Sequence, residues 1–562
     1  MSQLTETAKN QLRQAVIKAI NKAVSEGELP EGEAPEFTIE VPNDRAHGDF
    51  ATNAAMVSAR VFRKSPAVIA KAILDRLDLK STYASSAEIA GAGFINFRLS
   101  DNFYADILID ILNEKENFGR SDFGKGKSVD VEFVSANPTG PMHIGNARGG
   151  ALGDCLASVL EAAGYDVTRE FYINDAGNQI NKFALSLEVR YLQIFDKSVE
   201  MPEDAYQGKD ITEHAENFYK IYGDKYKDVS SDERRKALVE YALPLNIEGL
   251  ERDLMKYCIK YDVWFHESTL HQNGAVEKVI ELMKEKGHTY EKDGALWFKA
   301  EQFGADKDFV MVRSNGVPTY VVPDIAYHYN KLVTRNFDTA IDILGADHHG
   351  YVPRLKAALS ALGVDPERLE VILMQMVRLV RNGETIKASK RSGKAITLVT
   401  LLEEVPLDAA RFFFNTREAN THFDFDLDLA VSENAQNPVY YVQYAHARIC
   451  SILKNLAAEG ITPKAASAEE LVCLKAPEER ELIRYLGDLP DTVITAAKTR
   501  NPALITHYSV ELATLFHKFY NACRVKGAEG GLEGARLALC LCTRTVLENV
   551  LAILKVDAPE TM

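Results

Sequence analysis

The stretch from Ser128 to Gly164 constrains the chain most, because it reads as strand, tight loop and helix in immediate succession. Val129, Val131 and Phe133 alternate with Asp130, Glu132 and Val134, the period of a strand. Asn137, Pro138, Gly140 and Pro141 then interrupt regular structure. Beyond Pro141, Ile144, Ala147, Ala151, Cys155, Val159 and Leu160 fall at helical spacing, and Gly164 stands where a helix-ending glycine belongs. A second apolar run, Val167 to Ile173, follows at once. The pattern is a βαβ unit with a right-handed crossover, and its first loop lies at the carboxyl end of the sheet, where such folds bind ligands.

Around this unit the chain divides into three. Residues 1–120 read as an α+β module: an amphipathic helix with Leu12, Val16, Ile17 and Ile20 on one face, a polar linker, then short strands and helices. Residues 121–407 alternate strand and helix signals, which predicts an α/β domain with a mainly parallel sheet. Charged, tyrosine-rich helical sequence at about 191–270 reads as an insertion between strands, and Thr319 to Val322 as a returning strand. From Asp408 strand signals vanish, so residues 408–562 read as an all-α helical bundle.

Net charge is −16, so any nucleic acid must be met by local basic patches rather than by a basic surface. The seven cysteines are scattered and lack zinc-site spacing, which predicts reduced thiols in a reducing compartment. The N-terminal stretch has no signal-peptide apolar core and no run of 18 apolar residues occurs, so a cytoplasmic location is expected.

Two stretches carry chemistry. In His143-Ile144-Gly145-Asn146, His143 and Asn146 share a face of the first helical turn, and Gly145 leaves room for a flat ring. The free N–H groups of that turn suit phosphate oxygens, so an adenine nucleotide is a reasonable ligand, although the tetrapeptide alone is equally compatible with packing. Lys387-Ala388-Ser389-Lys390-Arg391-Ser392-Gly393-Lys394 places four cations in eight residues. It reads either as a solvated charge run or as a clamp on the charge of a leaving pyrophosphate. Gly124-Lys125-Gly126-Lys127-Ser128 is not a P-loop, since it precedes a strand, and no GxGxxG follows the first strand, which disfavours a dinucleotide oxidoreductase.

Taken together, HIGN and, about 240 residues later, KASKR resemble the HIGH and KMSKS motifs of class I aminoacyl-tRNA synthetases. The stretches Glu132 to Pro141, Tyr320 to Tyr327, Gly345 to Gly350, Asp408 to Arg411, Tyr440 to Arg448 and Ala558 to Met562 narrow the resemblance to arginyl-tRNA synthetases over nearly the whole chain. It implies a Rossmann-like catalytic domain, an N-terminal tRNA-contacting module and a C-terminal anticodon-binding bundle. It implies ATP-dependent attachment of L-arginine to tRNA(Arg) through an arginyl-adenylate, with Mg²⁺ on the ATP phosphates, no protein-ligated metal, and a monomer. His143, Asn146, Lys387 and Lys390 map to the catalytic motifs, and with Gly145 and Ser389 to ATP binding. Glu132, Asn137, Tyr320, Asp324 and His348 map to the arginine site; in the bundle, which the resemblance assigns to tRNA, the aromatic and basic residues Tyr441, Tyr444, His446 and Arg448, then His517, Lys518, Tyr520, Asn521, Arg524 and Lys526, are the candidates for RNA contact. The chain departs from the family pattern at Asn146, Ala388 and Arg391, which replace the second histidine of HIGH and the methionine and final serine of KMSKS.

Overall fold

The structure, a computed structural model, describes residues 3–42, 44–203, 205–386, 396–462 and 467–562. Strand β1 (Ser128–Glu132) leads through the Asn137–Pro141 loop into helix α1 (Ile144–Ala162), which returns to β2 (Asp166–Ile173). Gly164 ends the helix at φ 85, and a Cβ there would stand 2.5 Å from the Ser121 carbonyl oxygen, so the turn admits only glycine. A Cβ on Gly153 would fall 2.3 Å from the Phe133 ring, which is how closely α1 lies on the sheet.

The chain continues through helix α2 (Gly177–Leu192), strand β3 (Val263–His266), helix α3 (Val321–Tyr329), strand β4 (Thr339–Gly345), helix α4 (Val352–Leu362) and strand β5 (Leu369–Met374). These strands form one parallel sheet in the order β3-β2-β1-β4-β5. The order reverses between β1 and β4, the switch point at which doubly wound sheets open a crevice for ligands. Because helices cover both faces, β1 buries Val129 and Val131 and also Asp130 and Glu132.

Several expectations are corrected here. Val263–His266 lies inside the stretch read as insertion, yet pairs in parallel with β2 as the edge of the sheet. Four residues between charged flanks are too few to show a period of their own. The inserted helices Lys209–Tyr222 and Ser231–Lys256 pack with α2 around Phe183, Leu187, Tyr191 and Phe218. Strands Ala295–Phe298 and Phe309–Val312 leave the main sheet and join Thr289–Lys292 in a separate antiparallel sheet. The strand expected at Thr319–Val322 is instead the entry to α3, because Pro323 cannot donate to a ladder but is tolerated in a first helical turn.

Strand signals also do not end at Asp408. Strand β6 (Val377–Arg381) pairs in parallel with β7 (Phe423–Asp426), whose Phe423 and Phe425 are buried. The C-terminal helices include α5 (Pro438–Ala458), α6 (Ala503–Ala522) and α7 (Leu532–Leu554). Helix α7 is apolar and long enough to cross a membrane by length and composition, but Leu539, Cys540, Val546, Leu547 and Val550 are buried in the bundle, as a core helix requires. Buried Arg411 joins this bundle to α1: it donates to Asp154 (2.6 Å) and to the Tyr257 carbonyl (2.8 Å). The C-terminal tail is pinned in turn, with Gln443 donating to Asp408 (2.7 Å) and to the Asp557 carbonyl (2.9 Å).

Candidate active site

The loop after β1 is strained. Val134 and Ser135 have φ of 70 and 39, in the left-handed region that a β-branched residue rarely enters. The Ser135 N–H closes a three-residue turn on the Phe133 carbonyl (3.0 Å). Surrounding groups hold this turn. Tyr261 Oη donates to the Phe133 carbonyl (2.9 Å), Ser135 Oγ donates to Glu132 (2.8 Å), and the Tyr172 N–H donates to Ser135 Oγ (3.1 Å). From the insertion, Asn246 Nδ2 donates to the Pro138 carbonyl (2.9 Å), leaving Asn137 exposed on the loop.

Beneath the loop lies a buried charge network. Glu132 faces inward, where Lys331 Nζ donates to its Oε2 (2.6 Å) and the Tyr327 hydroxyl shares its one hydrogen between that oxygen (2.9 Å) and Glu170 Oε1 (2.5 Å). Lys331 also meets Asp130 (2.9 Å) and Asp342 (3.0 Å), and Arg335 pairs with Glu170. Burial disfavours the Lys331 ammonium, but Asp130, Asp342, Glu132 and Glu170 outweigh it and hold its pKa well above the usual range. Burial pushes Asp130 up to about 7 despite the lysine. His328 Nε2 lies 2.6 Å from Asp342 and its Nδ1 lies 2.7 Å from the Asp324 carbonyl. Both ring nitrogens therefore face acceptors, and although burial opposes charge, Asp342 raises the histidine's pKa.

Beyond Asp324 lies a cleft of about 830 Å³ whose lining includes Tyr320, Asp324, Glu267, Asn174, Gln179, His271 and Arg313. Tyr320 stands at the rim, 68% exposed, with its ring stacked 5.9 Å from that of Tyr351. Asp324, in the first turn of α3, accepts from the Tyr351 hydroxyl, and burial raises its carboxyl to about 6. Glu267 is raised in the same direction, chiefly by burial, with Tyr172 and His271 opposing. His348 is exposed in the short turn Ala346–His348 that follows β4 at the carboxyl edge. Among the described residues no group of three or more His, Cys, Asp or Glu is arranged to hold a metal.

The HIGN turn is built by its own side chains. Asn146 Oδ1 accepts from the His143 backbone N–H (2.9 Å), so Asn146 closes the first turn of α1 as a capping residue. Nothing lies within 4 Å of a Cβ placed on Gly145, so the turn presents an open face. Arg148, fully buried, donates to the carbonyls of Gln375 (2.7 Å), Glu418 and Thr421 (3.0 Å each) and locks this end of α1 against β5. Lys387, Ser389 and Lys390 lie outside the described residues. The segments on either side of them are placed: the Ile386 N–H donates to the Leu379 carbonyl (2.8 Å), and Ile144 and Leu398 donate to the carbonyls of Ile396 (3.2 Å) and Met142 (3.0 Å). The chain after the cationic segment is thus bonded directly to HIGN.

On the C-terminal bundle, Tyr440, Tyr441, Tyr444 and Arg448 of α5 face His517 and Asn521 of α6 across a groove of about 510 Å³. The rings of Tyr440 and Tyr444 stack at 6.3 Å, and Arg448 sits 4.7 Å over the Tyr520 ring. Burial and the Arg448 charge lower His517 to about 4. His446, by contrast, is buried, with the Pro559 carbonyl 2.8 Å from Nδ1 and Glu548 3.1 Å from Nε2. It anchors the C-terminal tail and does not face the groove.

Three family models match the chain in order: the arginyl tRNA synthetase N-terminal domain over residues 10–99, the class I (R) tRNA synthetase catalytic domain over 108–451, and the DALR anticodon binding domain over 442–562. The chain is 53% identical to the arginine–tRNA ligase of Acetivibrio thermocellus and 54% identical to that of Caldanaerobacter subterraneus, covering 100% of each chain in both cases. The chain belongs to the arginyl-tRNA synthetase family. Its fold is similar to that of the Thermus thermophilus arginyl-tRNA synthetase, with a TM-score of 0.73 and 24% identity over 98% of this chain and 100% of that one.

In this arginyl-tRNA synthetase the cleft contains acids and aromatics that sequence reasoning did not single out. Glu267 was hidden in a stretch read as insertion, and Lys331 follows α3 in an irregular π-helical turn, Asn330–Thr334, without any periodic signal. Tyr327 was within reach, since it ends the Tyr320–Tyr327 motif, but nothing in the sequence told its buried hydroxyl from a packing ring.

Proposed function

We propose that the cleft between Tyr320 and the β1 loop holds the guanidinium of arginine and that the HIGN turn beside it holds ATP. The chain is an ATP-dependent arginine–tRNA ligase, passing through an arginyl-adenylate and releasing pyrophosphate and AMP. The observation that carries the arginine reading is the charge of the cleft. Glu267 and Asp324 line it together with Arg313 and His271, Glu132 stands close enough to act on the Asp324 charge, and Asp130, Glu170 and Asp342 lie behind it against Lys331, Arg335 and His328. Asp324 and Glu132 supply carboxylate oxygens, Asn137 an amide oxygen and Tyr320 a phenol; His348 stands near the substrate. Planar, bidentate acceptors suit a guanidinium better than an ammonium. Lysine leaves some of them unpaired, which is how a site rejects an analogue without editing.

The arginine α-carboxylate is ionised at neutral pH and needs no general base. It attacks the α-phosphorus of ATP in line, and the bond to pyrophosphate breaks. His143, Gly145 and Asn146 receive the nucleotide at the open first turn of α1. Lys387, Ser389 and Lys390 take up the charge of the departing pyrophosphate, and Mg²⁺ enters with the ATP phosphates as part of the substrate. Tyr441, Tyr444 and Arg448 bind tRNA by stacking on unpaired bases and meeting phosphates. The enzyme works as a monomer in the cytoplasm, a reading in keeping with its seven free cysteines.

ATP–pyrophosphate exchange with arginine, run with and without tRNA, tests this reading. Exchange is expected only when tRNA is present. No exchange under either condition would sink it in favour of a protein that binds tRNA without catalysis, and full exchange without tRNA would favour adenylate formation that needs no tRNA.

A further inference from the structure

Glu132 has few lone pairs to spare for a substrate. Its Oε2 accepts from Lys331 (2.6 Å), its Oε1 accepts from Ser135 (2.8 Å), and the Tyr327 hydroxyl, 2.9 Å from Oε2, divides its single hydrogen between Glu132 and Glu170 (2.5 Å). A carboxylate offers about four acceptor positions, so two are occupied outright and one is shared with Glu170, and the position free of protein donors is on Oε1. Lys331 is equally committed. It is 0% exposed; its ammonium donates to Glu132 and to Asp342 (3.0 Å) and stands in an ion pair 2.9 Å from Asp130. Asp342 passes the connection on, through His328 at 2.6 Å, to the backbone carbonyl of Asp324 in the first turn of α3. Lys331 therefore links β1, β4 and α3, the elements that carry or adjoin Glu132, Asp324 and Tyr320.

Stability alone is a poor account of this arrangement. A buried ion network commonly stabilises no better than apolar residues of the same volume. It does fix orientation, and the strained Val134–Ser135 turn beside it shows that backbone strain is tolerated at this point of the fold.

We propose that Lys331 is a positioning residue for arginine: it ties down one oxygen of Glu132, presents the other to the guanidinium, and holds the β1 and α3 sides of the cleft at a fixed separation. The inference rests on the reading of Glu132 as an arginine ligand. Tyr327 and Ser135 are the two lesser anchors of the same carboxylate.

The test is tRNA-dependent ATP–pyrophosphate exchange on the full-length enzyme, measuring the KM for arginine, the KM for ATP and kcat separately. Lys331→Met is expected to raise the arginine KM by about tenfold or more, the scale of a charge-assisted hydrogen bond, with the ATP KM within about twofold of wild type. Ser135→Ala removes a single hydrogen bond to Glu132 and is expected to raise the arginine KM by about three- to tenfold, while Tyr327→Phe removes one shared with Glu170 and is expected to raise it by about threefold. These two decide the matter if Lys331→Met does not fold. Glu132→Gln serves as the reference. If it leaves the arginine KM unchanged, the ligand reading of Glu132 falls and the inference with it. If Glu132→Gln raises the arginine KM while the anchor variants leave it at the wild-type value, or raise the arginine and ATP KM together, Glu132 remains a ligand and the positioning role of Lys331 is overturned.

Discussion

In the cleft beneath Tyr320 the recognising groups are acids withdrawn from water; in the groove between α5 and α6 they are rings and a guanidinium left open to it. We propose that the cleft receives a small planar cation. Asp324 is bonded by Tyr351 and raised in pKa by desolvation, and Glu132 is buried and bonded by Lys331 and Ser135, so their geometry is set before a ligand arrives. The groove is proposed to receive a polyanion with flat bases. Tyr441, Tyr444 and Arg448 offer stacking faces and one fixed charge on a protein whose net charge is −16. On this proposal a protein of this overall sign meets RNA where basic and aromatic residues gather locally, and holds a cation where its acids do.

The largest expected effect lies outside both regions. Lys390→Ala should lower the exchange rate by roughly 10²–10³, as removal of one contact to developing charge does, while arginine and tRNA affinities stay near wild type. An unchanged exchange rate would remove Lys390 from the chemistry. Next, Asp324→Asn should raise the arginine KM by about 10- to 100-fold, the range for a hydrogen bond to a charged group, with tRNA affinity unaltered. A parallel loss of tRNA binding would show that cleft and groove are not separate sites.

Tyr444→Ala should do the converse, weakening tRNA by about 1–3 kcal/mol in a filter-binding titration, the value of one stacked base, with the arginine KM constant. The two regions should also separate by pH. Burial lifts Asp324 to about 6, so its carboxylate is present above that pH and is lost as pH falls through it, and the arginine KM should rise about tenfold by pH 5. His517, lowered to about 4, stays neutral over the same range, so the groove's affinity for tRNA should be flat between pH 8 and pH 5. The smallest effect is expected at Asn146, whose side chain caps α1. Asn146→Ala should cost about 0.5–1.5 kcal/mol in denaturant unfolding, the net value of the one hydrogen bond it accepts from the His143 N–H, and Asn146→His should leave the ATP KM near wild type if the residue acts only in closing that turn.

The ligand-facing motifs were legible from residues because local rules place them. An alternating strand, a Pro/Gly loop and a helical apolar stripe force Glu132, Asn137, His143 and Asn146 to one end of a sheet, wherever the rest of the chain goes. The bundle helices were equally plain from their periodicity. Other motif stretches were visible but their roles were not: Asp408, Arg411, Gln443 and His446 join domains and pin the C-terminal tail, which only long-range contacts reveal. Val263–His266 and Phe423–Asp426 escaped as strands because four residues carry too little pattern, and it is pairing with β2 and β6 that makes them strands.

The sequence by itself determined the βαβ core, the turn of HIGN, the helical C-terminal domain and the family to which the chain belongs, because these depend on neighbours a few positions apart. Only the tertiary structure decided that Glu132 points inward onto Lys331, nearly 200 residues away, and that the loop after β1 is held in a strained turn. Burial, the sharing of one ammonium among three carboxylates, and the pKa of Asp324 are properties of what surrounds a group in space, and no periodicity along the chain records them.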